Sequence, residues 1–471
     1  MSLFATKPLS RLMSESEGEH GLKRTLGPVQ LVALGIGAII GAGIFTLTGV
    51  AAANHAGPAI VYSFILAAVG CMFAGFCYSE FSTMIPIAGS AYTYAYATMG
   101  ELIAWIIGWA LVLEYAVGAA TVSVSWSGTI DSMLQSFGIQ LPPLMLNSPF
   151  DPTPGVLNLP AVFIVIVISM ILIVGIQESA RFNAVIVAVK VVVVILFIGI
   201  GYFFINGDNY HPFIPENTTG KFGAFGWTGV LAAAGQIFFA YIGFDAVSTA
   251  AQESKNPKRD MPIGIIGSLA ICTVLYILYA LVLTGVVNYV DLNVKAPLAV
   301  AVDRMKSIPW LAFLMKLGSL AGLTSVMLVM LLGQSRVFYS MSRDGLLPKL
   351  FADVHPRLRT PWKSNLLLMV FVSLGAAFTP IAQLGNLTSI GTLFAFVLVC
   401  IGIIIMRRTQ PDLPRPFRTP LVPLVPILGV LFNFLLMYSL DRLTWIAFVV
   451  WMCIGLVIFF TYSRAHSKLT A

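Results

Sequence analysis

Charge is what this chain has least of. Only 10% of its 471 residues are Asp, Glu, Lys or Arg, against 58% hydrophobic, where a soluble globular domain carries roughly 25% charged residues. No water-soluble surface can be made from that composition. Long polar loops are missing too, which leaves no room for a soluble enzyme domain. The five histidines, His20, His55, His211, His355 and His466, all fall in tails, loops or span ends, so a histidine proton relay inside the membrane is not expected. The five cysteines, Cys71, Cys77, Cys272, Cys400 and Cys453, lie inside apolar runs at no metal-site spacing and read as structural thiols. No P-loop, no GxSxG in a loop and no His/Asp metal pair occurs, which argues against ATP-driven transport and against an enzyme. The first residues are polar and lack the apolar core of a cleavable signal peptide, so they read as a tail.

What is present is a series of apolar runs of about 20 residues, each long enough for about 30 Å of hydrocarbon. They are continuously apolar rather than alternating, which disfavours a β-barrel. Twelve spans are expected, near 28–50, 57–84, 97–129, 157–176, 182–205, 226–250, 261–287, 311–340, 364–380, 386–406, 421–440 and 444–463. The third and eighth exceed a bilayer's need and should tilt or protrude. With the N-terminus inside, only Lys221, Lys295, Arg304, Lys306, Lys316 and Arg442 of the 27 Lys and Arg residues fall in outward segments, and Lys190 falls within a span. The others face the cytoplasm, so both termini are expected there. The same bias accounts for the net charge of +7 through the anionic inner leaflet rather than through nucleic acid. The proline-rich 410–426 cannot be regular helix throughout and reads as a hinge. Glu80 and Glu101, near span ends, read as ordinary interfacial residues.

Chemistry concentrates in two places. The first span holds GIGAIIGAGIF, Gly35 to Phe45, with Gly35, Gly37, Gly41 and Gly43 close together. This is either close helix packing or a helix break at Gly41-Ala42-Gly43, whose second half would offer N–H groups and a favourable dipole to an anion. The sixth span carries a mid-span Gly243 with Gln236, Asp245 and Ser248 nearby. Interruptions at corresponding places in two five-helix halves point to an inverted-repeat secondary transporter. Glu114, Lys190 and Asp245 lie well inside spans, where a charge costs at least about 2.5–3.5 kcal/mol. Glu114 reads as a substrate contact or an interhelical ion pair. Asp245 reads as a substrate contact or a cap of the broken helix. Lys190 either snorkels to the interface or works inside the bundle.

These motifs occur in a known order: GIGAIIGAGIF, AGPA (56–59), CYSEF (77–81), GSAYTYAYATMGELIAWIIGW (89–109), SARFNAVIVAVK (179–190), FFAYIGFDAVSTAAQESKNPKRDMPIGI (238–265) and SRDGLLP (342–348). In that order the chain resembles the amino acid–polyamine–organocation (APC) superfamily and its bacterial cationic amino acid transporter-like branch. The resemblance implies an all-α integral membrane fold: a tail over 1–27, a first inverted repeat over 28–205 and a second over 226–406. A proline-rich hinge with two peripheral helices over 407–463 and a C-terminal tail over 464–471 would follow. It also implies an amino acid bound between broken helices 1 and 6. Its carboxylate would meet the N–H groups of Ala42, Gly43 and Ile44, beside Gly41 and Ile40. Its ammonium would meet carbonyls near Ile39, Phe239, Ala240 and Ile242, with Phe239 as a lid. The family often carries Ser or Thr where this chain has Ala42, which leaves the backbone donors to hold the carboxylate. Lys190 matches the lysine that replaces sodium in some proton-coupled relatives, with the carbonyls of Gly37 and Ile40, Thr324 and Ser325 around it.

The expected function is secondary, proton-coupled transport of an L-amino acid across the cell membrane by alternating access, without cofactor, metal or nucleic acid. Substrates divide between small neutral residues (Ala, Ser, Thr, Gly) and cationic ones (Arg, Lys, ornithine). Glu114 or Asp245 would serve a cation, whereas Met327 and Met330 on the eighth span offer no acid. The alternative is an exchanger without net proton coupling. A channel or a membrane-bound receptor is disfavoured by the broken helices and short loops.

Overall fold

The computed structural model describes residues 5–8, 26–85, 90–175, 180–305 and 308–468. Most of the N-terminal tail, the last three residues and Lys306 of the charge argument lie outside them. The described residues form helices joined by short turns, with one isolated bridge between Leu26 and Ser254 and no named strand. The principal helices are α1 (Pro28–Ile39), α2 (Ile60–Met84), α3 (Glu101–Ser136), α4 (Leu159–Val174), α5 (Ala180–Gly201), α6 (Gly226–Ile237), α7 (Pro257–Val286), α8 (Pro309–Arg343), α9 (Trp362–Phe378), α10 (Ile381–Thr409), α11 (Leu424–Tyr438) and α12 (Arg442–Ile458). Among the described residues, eight helical stretches are long and apolar enough to cross a membrane, and α1, α4, α9 and α11 are shorter apolar helices.

Local chemistry sets the starts. Pro28 opens α1 and Pro257 opens α7, where proline's fixed φ suits the first turn and its missing N–H costs nothing. Gln30 reaches back to the Gly27 N–H at 2.6 Å. The third and eighth helices are long, as their sequences suggest: α3 has 36 residues and α8 has 35, which at about 1.5 Å per residue exceeds a bilayer core of about 30 Å.

Burial ranks the helices from centre to rim. The most apolar stretch of Gly226–Ser248 is 89% buried and that of α3 83%, against 33% for Ala184–Phe204 and 22% for Arg442–His466. The sixth span with its glycine interruption and Asp245, and α3 with Glu114, are thus inside the bundle, while α5 and α12 turn valines outward (Val185, Val192, Val450, Val457). Close packing at the centre relies on missing side chains. A Cβ on Gly35 of α1 would lie 2.4 Å from the Ser268 hydroxyl of α7, the small-residue contact by which membrane helices approach.

The structure corrects the interfacial reading of Glu80 and Glu101, both of which are buried. Glu80 accepts paired bonds from Arg407 at 2.9 and 2.8 Å, a third from the Thr419 N–H at 2.7 Å, and faces Arg415 at 3.4 Å. A carboxylate with that many donors is well compensated for its lost water. The node fastens the proline-rich linker to α2 and α10. Glu101 accepts the Ser467 hydroxyl.

Candidate functional site

Helix α1 stops at Ile39. Ile40 leaves the helical region with ψ 106°, and the chain resumes as a wide π turn over Gly43–Leu47. The restart leaves the opening N–H groups without carbonyls one turn earlier in the same helix. In the sixth span, α6 tightens to a 3-10 turn over Phe238–Tyr241, Ile242 is extended, and Gly243 adopts φ +120°, a conformation that favours glycine. Both interruptions expected at these glycines are present.

The two breaks touch each other twice. A Cβ on Gly43 would lie 2.2 Å from the Ala240 Cα, and one on Gly243 would lie 2.7 Å from the Ala38 carbonyl carbon and oxygen. Each glycine therefore lets its own segment rest on the backbone of the other. Ile39, Ile40, Gly41, Ala42, Ile44, Phe239, Ala240 and Ile242, on the two broken segments, are all buried, as is Met330. Met330 sits on α8 facing Gly118 of α3. The Ile39 carbonyl already accepts the Tyr276 hydroxyl of α7 at 3.0 Å, and the Phe239 carbonyl accepts the Ile242 N–H at 3.2 Å.

Asp245 caps the break. Its carboxylate accepts the Gly243 N–H at 3.2 Å and the Tyr115 hydroxyl at 3.0 Å, which ties the kinked sixth span to α3. Glu114 lies beside it, in a π turn over Leu113–Val117, fully buried, with its carboxyl facing the Asp245 carboxyl and the Thr392 hydroxyl. No ion pair involves Glu114 among the described residues. Turns of this wide kind occur often at functional sites, and both α3 and the first span have one.

Lys190 of α5 is fully buried and donates to the Gly37 carbonyl at 2.7 Å, so it does not snorkel. Gly37 allows this because a Cβ there would meet Val187 at 2.4 Å, bringing α1 onto α5 one turn before the lysine. On the other side the stem crosses Gly322 of α8, whose added Cβ would lie 3.0 Å from the Lys190 Cγ. The lysine thus stands between α1 and α8. Thr324, expected beside it, turns its hydroxyl to Leu320 of its own helix at 2.8 Å. Ser325 is buried on the next position.

On the opposite side of the crossing, the Thr46 hydroxyl bonds the Ser125 hydroxyl of α3 and donates to the Lys295 carbonyl at 3.0 Å. The Lys295 ammonium pairs with Asp151 at 3.0 Å. Sequence inspection passed over Tyr115, Tyr276, Gly322 and the Thr46–Ser125 pair. Only Tyr115 had a signal, as a hydroxyl next to an intramembrane acid.

Broken, mutually supporting helices around an enclosed apolar site define a membrane permease rather than an enzyme. The chain belongs to the amino acid permease family, whose pattern it matches over residues 26–467. It is 45% identical to the branched-chain amino acid permease BcaP of Bacillus subtilis (strain 168) and 44% identical to the methylthioribose transporter of the same organism, each over 99% of both chains. It is 37% identical to the vacuolar cationic amino acid transporter 4 of Arabidopsis thaliana, over 84% of this chain and 66% of that one.

Proposed function

We propose that this protein is a secondary carrier of an L-amino acid with a neutral, apolar side chain, coupled to protons through Lys190 and working by alternating access. Twelve crossings, a five-plus-five inverted repeat, two peripheral helices and cytoplasmic termini in the cell membrane complete the reading. The observation that carries it is the reciprocal seating of the two breaks, Gly43 on Ala240 and Gly243 on Ala38, with Lys190 holding the carbonyl of Gly37 three residues before the first break. The N–H groups of Ala42, Gly43 and Ile44 receive the carboxylate. The ammonium falls to the carbonyls of Ala240 and Ile242, since those of Ile39 and Phe239 already have donors.

Neutral specificity follows from what surrounds the crossing. Ile44, Phe239 and Met330 are apolar, and the carboxylate of Asp245 is taken up by Gly243 and Tyr115. A cationic side chain would meet thioether and aliphatic groups there, and the Glu114 carboxyl nearby already faces Asp245 and Thr392, so its desolvation cost would be poorly offset. The branched-chain permease similarity supports this reading.

A thermal-shift screen of the purified protein against the twenty amino acids and methylthioribose tests it. Stabilisation by Val, Leu, Ile, Ala or related neutral residues is expected, followed by counterflow of the best ligand in proteoliposomes. A response to Arg and Lys alone would overturn neutral specificity and turn attention to Glu114. A response to methylthioribose alone would overturn the amino acid reading. Phe239→Ala should keep the fold and slow transport, because a lid excludes water from the occluded site; an unchanged rate would make Phe239 packing only.

Tyr115→Phe checks the role given to Asp245. Removing a buried donor from a carboxylate costs about 1–3 kcal/mol. A lower melting temperature is expected, with every substrate slowed by a similar factor. A loss confined to Arg and Lys would place Asp245 on the substrate instead.

A further inference from the structure

The connection from α8 to α9 places charge at the edge of the lipid-facing surface. Helices α4 and α9 pack side by side. Each turns apolar side chains outward: Phe163, Met170 and Val174 on α4, and Leu366, Val370 and Leu374 on α9, are exposed. In a membrane protein such faces meet acyl chains, and they run to the last turn of α4 and from the first turn of α9.

The loop just before α9 is folded on itself at that level. His355 N–H donates to the Thr360 carbonyl at 2.9 Å, and Arg359 N–H donates to the His355 carbonyl at 2.9 Å. The His355 ring gathers two more backbone donors, its Nδ1 accepting the N–H groups of Arg357 and Leu358 at 3.2 Å each. Two contacts then pin the loop to α4. The Thr360 hydroxyl donates to the Ile173 carbonyl at 2.7 Å. Gly175, which ends α4 with φ +85°, passes so close that a Cβ on it would lie 3.0 Å from the Thr360 Cγ2 and 3.2 Å from the Leu358 carbonyl oxygen. The loop therefore stands beside Val174, where the exposed apolar face of α4 stops.

Arg357 and Arg359 project from this loop. Both are exposed, and among the described residues neither forms an ion pair. The neighbouring Lys363 differs, since its ammonium is taken up by Asp353 at 2.6 Å. Leu358, between the two arginines, and Val354 are exposed as well. Arg359 has φ +55°, a conformation that glycine adopts freely and a residue with a Cβ seldom does. An arginine there gives up backbone stability for what its side chain does.

We propose that Arg357 and Arg359 bind the phosphate of an anionic phospholipid whose acyl chains lie along the exposed faces of α4 and α9. A guanidinium offers a planar fork of donors that matches two phosphate oxygens at once. The closed loop presents both forks in fixed positions, so little ordering is lost on binding. The apolar faces beside the loop favour a lipid over a soluble phosphate. Two cations without carboxylate partners favour a headgroup of net negative charge over a zwitterionic one, whose own ammonium would be repelled. The inference needs only that the chain is a membrane protein, and it stands apart from the substrate and from Lys190.

The test follows thermal unfolding of the full chain in a neutral detergent as phosphatidylglycerol is added. The lipid should raise the melting temperature of the parent by mass action. Arg357→Ala and Arg359→Gly should each raise the half-saturating lipid concentration by about fivefold, the usual contribution of one basic residue at an anionic surface. Without lipid, Arg359→Gly should melt no lower than the parent, because glycine relieves the positive φ; its weaker lipid response then cannot come from misfolding. Arg464 is exposed on the same face, near where the His466 carbonyl packs on Gly345. Arg464→Ala removes an equal charge there and should shift the lipid response by less than about twofold. Four results would each overturn the site. An equal weakening by Arg464→Ala would mean diffuse attraction. Equal stabilisation by phosphatidylcholine would mean chain packing alone. The same stabilisation by sodium phosphate would mean a soluble anion. A parent that ignores phosphatidylglycerol, or loop variants that respond as the parent does, would leave the two arginines without this ligand.

Discussion

Lys190→Ala should lose accumulation driven by a pH gradient while keeping much of its substrate binding. A gradient of about one pH unit stores about 1.4 kcal/mol per proton, enough for about tenfold accumulation at one proton per substrate. The variant should fall to simple equilibration under the same gradient. The lysine stands between α1 and α8, on the Gly37 carbonyl and over Gly322. A charged ammonium makes the stronger bond to that carbonyl, so protonation tethers α1 and loss of the proton loosens it. A proton taken up on one side and released on the other would then move with the rocking of the helices. Nor should the variant acquire sodium dependence, because the Asp245 carboxylate is engaged by the Gly243 N–H and the Tyr115 hydroxyl. The measurement is uptake into proteoliposomes with an imposed pH gradient in sodium-free buffer. Undiminished accumulation would remove Lys190 from coupling and leave Glu114 as the next group to test.

Gly43→Val should abolish binding and also weaken the fold. Sequence reasoning alone would expect the fold to survive, on the idea that Gly43 merely admits a carboxylate to the backbone. The structure adds a second constraint, because the new Cβ would fall 2.2 Å from the Cα of Ala240. Backbone cannot rotate away as a side chain can, so the two breaks must separate. Overpacking of this kind costs about 1–3 kcal/mol or more, and any separation misplaces donors on one segment relative to acceptors on the other. A lower melting temperature and an affinity reduced beyond about tenfold are expected in a thermal-shift titration. Normal affinity in a well-folded variant would remove the first break from the binding site.

Several elements were readable in one dimension. Scarcity of charge demands a membrane. Gly243 marks its break because φ +120° favours glycine, and Gly43 marks the other because a Cβ there would strike the Ala240 backbone. An intramembrane lysine announces itself by its cost. Burial of the sixth span and exposure of α12 were less visible, since a helix apolar all round carries no signal for which face turns inward.

Asp245 shows the limit well. Its type and depth suit a substrate contact and a helix cap equally, and only the positions of Gly243 and Tyr115 favour the cap. Glu80 looked interfacial because it closes a span, yet it is buried by Arg407 and Thr419, more than 300 positions away on the chain. By itself the sequence determined the membrane class, the places where helices break and the residues too costly to be idle, because each of these is a property of a residue and its near neighbours. The tertiary structure decided what those residues touch, as Lys190 does Gly37 across 153 positions. Such pairings depend on how helices pack against one another, and no local pattern of residues encodes that.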